Sequence, residues 1–186
     1  MSNRVEDHSD IELFAQLGGN KAKAETAFAE LYRRHSSRVY AYCRKIVGEE
    51  NTAQDIFQET FMRFYQTAQK SMEMTNVPAY LLKIARNLCL NCIRDNRKTV
   101  AFEEYHKLTR DTPHERNELM QLINAALETL SHDYKEAFVL REYDGLSYAE
   151  IAEVVDVPLS TVKIRVHRAK QKIREVLAPY MADLSN

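Results

Sequence analysis

The amino-acid sequence predicts an all-α protein with two small helical domains joined by a linker, the second domain a helix-turn-helix. Gly and Pro, which interrupt helices, occur only 4 times each in 186 residues. Apolar residues recur at spacings of three and four along nearly the whole chain, which is the period of an amphipathic helix. No segment shows convincing strand periodicity, so we expect no β-sheet.

The composition excludes several classes of protein. With 45% hydrophobic and 28% charged residues, the chain is too well mixed to be disordered. No apolar run approaches the roughly 18 to 20 residues of a membrane span. The first twelve residues are acidic and polar, unlike a secretory signal, and three Cys suit a reducing compartment. We therefore expect a cytoplasmic protein without membrane insertion.

The first domain is expected to cover residues 1–96. Ser9 and Glu12 form a capping box that opens a short helix, which Gly18 and Gly19 end. The hydroxyl of Thr52 is predicted to cap a later helix. The remaining elements follow in order: a long helix over 24–47 ended by Gly48, a helix over 52–69, a loop over 71–76, and a helix from about 76 to 96 with Pro78 in its first turn.

The second domain is expected to cover residues 114–186, after a mixed polar linker over 97–113. Its predicted helices lie at about 114–130, 133–143, 148–155 and 159–178. Ser147 and Glu150 form a second capping box, and Asp156-Val157-Pro158 turns the chain into the last helix. Two short helices joined by a tight turn predict the helix-turn-helix motif.

The segment 158–178 carries six basic residues and one acid, a net charge of +5. Helical periodicity predicts a buried stripe of Leu159, Val162, Val166, Ala169, Ile173, Val176 and Leu177. Basic and polar residues face outward, together with the apolar Ile164, and they suit the DNA major groove. An ordinary solvated basic face is the alternative, and His167 could be an idle surface histidine. The candidate duplex-binding residues are Ser160, Thr161, Lys163, Ile164, Arg165, His167 and Arg168.

Two faces of the first domain also stand out. On the helix over 77–98 a narrow polar stripe could hold unpaired bases, although a solvated stripe on a core helix is the alternative. Its members are Tyr80, Lys83, Asn87, Asn91, Arg94 and Lys98. On the preceding helix Met62 is predicted to be exposed beside acidic residues, which suggests a protein partner or a stray surface methionine.

Three motifs in this order resemble the extracytoplasmic-function (ECF) sigma factors of bacterial RNA polymerase. They are Asp55-Ile56-Phe57-Gln58-Glu59-Thr60-Phe61, then Ala79-Tyr80-Leu81-Leu82-Lys83-Ile84-Ala85-Arg86-Asn87-Leu88, and finally Leu146-Ser147-Tyr148-Ala149-Glu150-Ile151-Ala152 with Ser160-Thr161-Val162-Lys163 and Arg165-Val166-His167-Arg168-Ala169. The resemblance covers about residues 10–178. It implies that the first domain is sigma region 2 and the second sigma region 4.

The resemblance also implies partners and roles. Region 2 would bind the polymerase core and melt the −10 element, and region 4 would bind the −35 duplex. Asp55, Gln58 and Glu59, with Met62, would meet the largest polymerase subunit. Loop 71–76 and the polar stripe would capture the −10 strand. An anti-sigma factor is a further expected partner. Asn91 and Ile164 depart from the Asp and Ser that many members carry, so promoter preference does not transfer.

The sequence supports other functions less well. Cys89 and Cys92 form a C-x-x-C pattern, but mid-helix on an apolar face they are expected to pack in the core. We find no nucleophile motif, phosphate loop or metal spacing, so neither enzymatic activity nor a cofactor is expected. The main alternative function is a stand-alone dimeric helix-turn-helix regulator with an N-terminal sensing domain.

Overall fold

A computed structural model describes residues 5–68, 74–100 and 118–183, with side chains described over 5–68, 74–95 and 122–180. Every regular element in these ranges is helical, which confirms the predicted fold class. After a 3₁₀ turn over Val5–Asp7, the α-helices are α1 Asp10–Gln16, α2 Lys21–Val47, α3 Glu50–Ala68, α4 Val77–Val100, α5 Glu118–Glu128, α6 His132–Phe138, α7 Tyr148–Val155 and α8 Leu159–Asp183. The chain divides into two compact units: the first extends to Asp95 and includes Glu153–Val155, and the second contains Asn96–Ala152 and the residues from Asp156 onward.

Local hydrogen bonds set the ends of α1 and α2. The predicted capping box is present, since the Ser9 amide donates to Glu12 Oε2 at 2.7 Å and the Glu12 amide donates to Ser9 Oγ at 3.3 Å. Asn20 caps α2 by accepting a hydrogen bond from the Lys23 amide at 3.0 Å. Gly48 ends α2 with a φ of 81°, a left-handed conformation that glycine adopts without steric cost.

The predicted cap of α3 at Thr52 is wrong. Glu49 caps this helix instead, because its carboxylate accepts hydrogen bonds from the amides of Asn51 and Thr52 at 2.9 and 2.6 Å. Hydrogen bonds from the Thr52 side chain and from these amides hold the pKa of Glu49 below its ordinary value. A carboxylate here also suits the positive end of the helix dipole. The helix therefore begins at Glu50.

Helices α1 to α4 bury a shared apolar core. Leu13, Leu31, Phe64, Leu81 and Leu82 have no exposed surface. The rings of Phe14 in α1 and Phe64 in α3 lie 5.4 Å apart, centre to centre. Helix α4 continues through residues 97–100, which the sequence assigned to the linker. The predicted linker over 101–113 and the loop positions 71–73 lie outside the described residues.

The second unit has its own core, formed where α5 and α6 pack on α8. Its buried members include Ala126, Leu127, Leu130, Ala169 and Ile173. The predicted helix over 133–143 differs at its end, because Val139–Tyr143 forms a π-helical turn. The Asp144 amide donates to the carbonyl of Val139 at 3.1 Å and closes that wider turn.

The helix-turn-helix is formed by α7 and α8. The Ser147 amide donates to Glu150 Oε2 at 2.7 Å, and the Glu150 amide donates to Ser147 Oγ at 3.2 Å, which confirms the second capping box. Asp156 ends α7 in the left-handed region, with φ 54° and ψ 52°. The Pro158 carbonyl then accepts hydrogen bonds from the Thr161 and Val162 amides at 2.9 and 3.2 Å and starts α8.

Candidate nucleic-acid and protein interfaces

Helix α8 separates a buried face from an outward face. Val162, Val166 and Ala169 are at most 1% exposed. The outward face contains Ser160, Lys163, Ile164, His167 and Arg168, all exposed, and Ile164 is 58% exposed. Thr161 is half-buried beside this face. Burial of the opposite stripe orients the outward face and leaves a β-branched apolar side chain in solvent among cations.

Leu159 corrects the predicted buried stripe, because it is 43% exposed. It is the first residue of α8, seven residues before Val166, which is 1% exposed on the same stripe. Helical periodicity predicted the direction of the Leu159 side chain, but it could not show whether another residue covers that side chain. Val176 and Leu177, at the other end of the stripe, are partly buried against the core of this unit, as predicted.

Two cations of α8 are held by acids from other elements. Arg165 donates to Asp133 Oδ2 at 2.6 Å, and its side chain is only 17% exposed. Lys170 lies 2.8 Å from Glu142 Oε1. Arg165 was among the predicted duplex contacts, and these carboxylate partners were not evident from the sequence. Lys163, Arg168, Lys172 and Arg174 form no ion pair within the described part of the chain.

The polar stripe of α4 is exposed along most of its length. Lys83, Asn87, Asn91 and Arg94 are all exposed, and Arg94 lies 3.7 Å from Asp95. The first three make no side-chain hydrogen bond or ion pair with any described residue. They are therefore available to an external ligand. The Lys98 side chain lies outside the described residues.

Tyr80 belongs to this stripe by position but packs against α3. Its hydroxyl donates to Thr67 Oγ1 at 3.3 Å, and its ring lies 6.4 Å from that of Phe64. It is half-buried. Its position therefore fixes the start of α4 against α3 and leaves only part of the ring open to a ligand.

The other faces of α4 lie in the core. Leu81, Leu82, Ala85 and Cys89 have no exposed surface, as expected for core packing of Cys89. Cys92 is half-buried, and burial raises the pKa of its thiol. Among the described residues, no group of His, Cys, Asp and Glu could hold a metal ion.

The outward face of α3 combines acids with an exposed methionine. Asp55 and Gln58 are exposed. Glu59 accepts a hydrogen bond from Arg63, one turn later, at 2.6 Å. Met62 is 51% exposed, as predicted. This face presents a flexible apolar side chain within a polar rim, an arrangement typical of protein interfaces.

Met62 also borders a groove that was not predicted from the sequence. The groove has a volume of about 490 Å³ and is lined by Glu25, Phe28, Phe61, Met62, Tyr65 and Gln66. Aromatic rings of α2 and α3 form its floor, with Phe28 and Tyr65 in edge-to-face contact at 5.4 Å. Phe28 and Tyr32, four residues apart on α2, were the available signal, since such a pair marks one helix face.

Helices in the described ranges are all too short or too polar to cross a membrane. Comparison with known families matches residues 31–99 to sigma-70 region 2 and residues 120–173 to sigma-70 region 4. The first match contains the exposed faces of α3 and α4, and the second contains the helix-turn-helix.

Relatives over most of the chain are of the same kind. The ECF sigma factor SigE of Mycolicibacterium smegmatis is 32% identical over 86% of this chain, which spans 65% of that relative's length. EcfG of Rhodopseudomonas palustris is 31% identical over 74% of this chain and 77% of its own. The sigma-E factor of Haemophilus influenzae is 28% identical over 97% of this chain and 100% of its own.

Solved structures share the fold. The sigma factor RpoE of Bartonella quintana, solved with the anti-sigma factor NepR, is 25% identical, with a TM-score of 0.73 over 81% of this chain and 96% of its own. CnrH, solved with the cytosolic domain of CnrY, has a TM-score of 0.68 at 23% identity, over 91% of this chain and 97% of its own.

Two helical units, one with a helix-turn-helix and the other with exposed faces on α3 and α4, define a transcription initiation factor. The chain belongs to the sigma-70 family, in its extracytoplasmic-function group, and directs RNA polymerase to promoters.

Proposed function

We propose that the two units of this sigma factor divide promoter recognition between them. The first unit, corresponding to 1–96, binds the polymerase core and melts the −10 element. The second unit, corresponding to 114–186, binds the −35 duplex. The observation that carries this proposal is the outward face of α8, where exposed cations surround an exposed Ile164 in a helix-turn-helix.

The −35 duplex is assigned to α8. Lys163 and Arg168 are exposed and unpaired within the described residues, so they can donate to guanine O6 and N7 or to phosphates. Ile164 suits contact with a thymine methyl group. Ser160, Thr161 and His167 complete the surface. Arg165 is a phosphate contact in this assignment, with Asp133 as a competing partner.

The melted −10 strand is assigned to the polar stripe of α4. Unpaired bases expose edges that the Asn87 and Asn91 amides can hydrogen-bond, and Lys83 and Arg94 can follow the phosphates. All four side chains are exposed. Tyr80 and Lys98 extend the assignment to the two ends of the stripe. Contacts available only to a single strand offset the stacking that an opened promoter loses.

The polymerase core is assigned to α3. Asp55 and Glu59 supply two acids and Gln58 a neutral amide to a polar rim, and Met62 supplies an apolar contact that continues into the aromatic groove between α2 and α3. A partner with cations flanking an apolar side chain would satisfy both parts of this surface.

An anti-sigma factor is the proposed regulator. Two solved structures with this fold, RpoE and CnrH, contain a second protein, which for RpoE is described as an anti-sigma factor. We place the action of this chain in the cytoplasm, with RNA polymerase, and assign it a regulatory and non-catalytic role.

Hydrogen–deuterium exchange on the full chain tests the division of labour. Adding core polymerase should protect α3, and adding promoter DNA to that complex should additionally protect α8 and α4. A stand-alone dimeric regulator would instead show protection of α8 by a palindromic duplex without polymerase. That pattern, with no protection of α3 by the core, would contradict the proposal.

A further inference from the structure

We propose that Asp133 and Glu142 determine the specificity of the second unit, because they hold Arg165 and Lys170 and thereby weaken sequence-independent DNA binding. This role rests on the proposed binding of the −35 duplex by α8. Neither acid belongs to the recognition helix itself, since Asp133 lies in α6 and Glu142 in the π-helical turn.

The two held cations lie at the two edges of the outward face. Viewed along the axis of α8, each residue is rotated by about 100° from the one before it. The outward face therefore spans roughly 180° of the helix, from Lys163, through Ile164, to Lys172. Arg165 lies about 20° beyond Lys172, and Lys170 lies about 20° outside Lys163. For a helix in the major groove, the middle of the face meets base edges and its two edges meet the flanking phosphates. Arg165 and Lys170 are therefore the cations that face phosphates without contributing sequence information.

Each of these cations already has a carboxylate partner at contact distance. The Arg165–Asp133 distance is 2.6 Å and the Lys170–Glu142 distance is 2.8 Å. The cations within the outward face, Lys163, Arg168 and Lys172, have no such partner among the described residues. The acids therefore hold only the two cations that lie just outside the limits of the face and leave the face itself charged.

Within the described part of the chain, Glu142 forms an ion pair with Lys170 alone. Helix α6 and the π-helical turn run continuously to Tyr143, so Glu142 lies in the last turn, where a carboxylate opposes the helix dipole. Its side chain is 36% exposed and lies against Lys170. Asp133, in the first turn of α6, is favoured by the dipole, so Glu142 is the more informative of the two acids.

Competition between carboxylate and phosphate has a measurable consequence. A cation that neutralises a phosphate adds about 0.9 to the dependence of log affinity on log salt, and it does so on any sequence. Asp133 and Glu142 must be displaced before Arg165 and Lys170 can contribute in this way. On the −35 element, base contacts fix the position of α8 and so limit the phosphates that Arg165 and Lys170 can reach, whereas on other sequences α8 can settle where both cations meet phosphates. Both acids therefore lower affinity for non-promoter DNA more than affinity for the −35 element.

The test uses the full chain assembled with core polymerase. The −35 duplex is first recovered by selection from a randomised pool with the wild-type protein, and the same duplex with that element shuffled serves as the non-specific probe. Affinities for both duplexes are measured by fluorescence anisotropy over a range of salt concentrations, for Asp133→Asn, Glu142→Gln and the double variant. Glu153→Gln, at an exposed acid of α7, is the control, and it changes the net charge by as much as each single variant does.

For the double variant we expect about tenfold tighter binding of the shuffled duplex at low salt. The slope of log affinity against log salt concentration should be steeper by about 1 to 2. The preference for the selected element should fall. Glu153→Gln should leave both quantities unchanged. Adding Arg165→Gln and Lys170→Gln to the double variant should abolish the gain in affinity for the shuffled duplex. This result would show that the gain comes from the two freed cations and not from altered folding.

An unchanged salt dependence in the double variant, or a change in Glu153→Gln equal to that of each single variant, would overturn this role for Asp133 and Glu142. Failure of the wild-type selection to return any element would overturn the assignment of α8 to the −35 duplex as well. The two failures are thus distinguishable.

Discussion

Asp10 Oδ2 lies 2.7 Å from Nε2 of His35, a buried residue of α2. Arg34 donates to the other oxygen of Asp10 at 2.9 Å, so one carboxylate joins α1 to two successive residues of α2. Burial holds the pKa of His35 below its ordinary value of 6.5, against the attraction of Asp10 and with the help of Arg38 and Arg34. At neutral pH the ring is therefore uncharged and donates to Asp10.

This contact predicts that acid weakens the first unit through His35. Because the folded pKa lies below the unfolded value, the unfolded chain takes up the proton first as the pH falls below 6.5. The free energy of unfolding should decrease from that pH towards the lowered pKa. Urea unfolding at a series of pH values should give a flatter profile for His35→Gln than for the wild type.

Two features allow the contribution of His35 to the pH dependence of unfolding to be separated from other contributions. Arg33 and Arg34 hold the pKa of Glu30 at about 2, so the stability that Glu30 contributes is lost only below its ordinary 4.5. His167→Gln, at an exposed histidine, is the matched control and should follow the wild type. If the free energy of unfolding changed with pH equally for His35→Gln and the wild type, His35 would not titrate as described.

Polymerase binding is predicted to depend on Glu59. Charge reversal by Glu59→Lys removes its ion pair with Arg63 and replaces an acid with a cation on the proposed interface. Core binding should weaken while the circular-dichroism spectrum is unchanged. Glu50→Lys, nine residues earlier and on the opposite side of α3, is the control. Native affinity of Glu59→Lys in a core pull-down would count against this interface.

Duplex recognition is predicted to separate by residue. Arg168→Ala should cost about 1 to 3 kcal/mol and relax one base position if Arg168 binds guanine. Ile164→Ser should change preference at a thymine with little effect on stability, since the side chain is 58% exposed. Selection from randomised −35 sequences measures both, with Arg174→Ala as a control cation farther along α8. The same motif from wild type and both variants would rule out base contact by these residues.

Promoter opening is predicted to depend on Asn87 and Asn91. Their replacement by Ala should leave binding of polymerase and of the −35 duplex intact but reduce melting, because amide contacts to unpaired bases are lost. Permanganate footprinting on duplex and premelted templates measures this, with Asn51→Ala in α3 as the control. A premelted bubble should partly restore function. Normal melting of the duplex by the Asn87/Asn91 double variant would show that the polar stripe of α4 is an ordinary solvated surface.

The sequence predicted features that local chemistry determines. The capping boxes at Ser9 and Ser147 depend on residues three positions apart, and Gly48 ends α2 through its own backbone freedom. The orientation of Ile164 follows from helical periodicity alone. Such features need no knowledge of the tertiary structure, and they include the exposed faces of α3, α4 and α8.

Features that depend on competition or on distant partners were not predicted. Glu49, and not Thr52, caps α3 because the carboxylate of its longer side chain accepts hydrogen bonds from two amides at once. The π-helical turn over Val139–Tyr143 replaces the end of a helix that the periodicity predicted to continue to residue 143. Asp133 and Arg165 are 32 residues apart, so no local pattern links them. The groove beside Met62 likewise requires α2 and α3 to be packed together.

Run-off transcription tests the central claim most directly. Purified core polymerase is supplied with genomic fragments from the source bacterium, with and without this chain, and the 5′ ends of the transcripts are mapped. We predict transcripts that require the chain, start downstream of shared −10 and −35 elements, and are lost in Glu59→Lys. Absence of chain-dependent transcripts, although the chain binds duplex DNA as a dimer without polymerase, would contradict its action as a sigma factor.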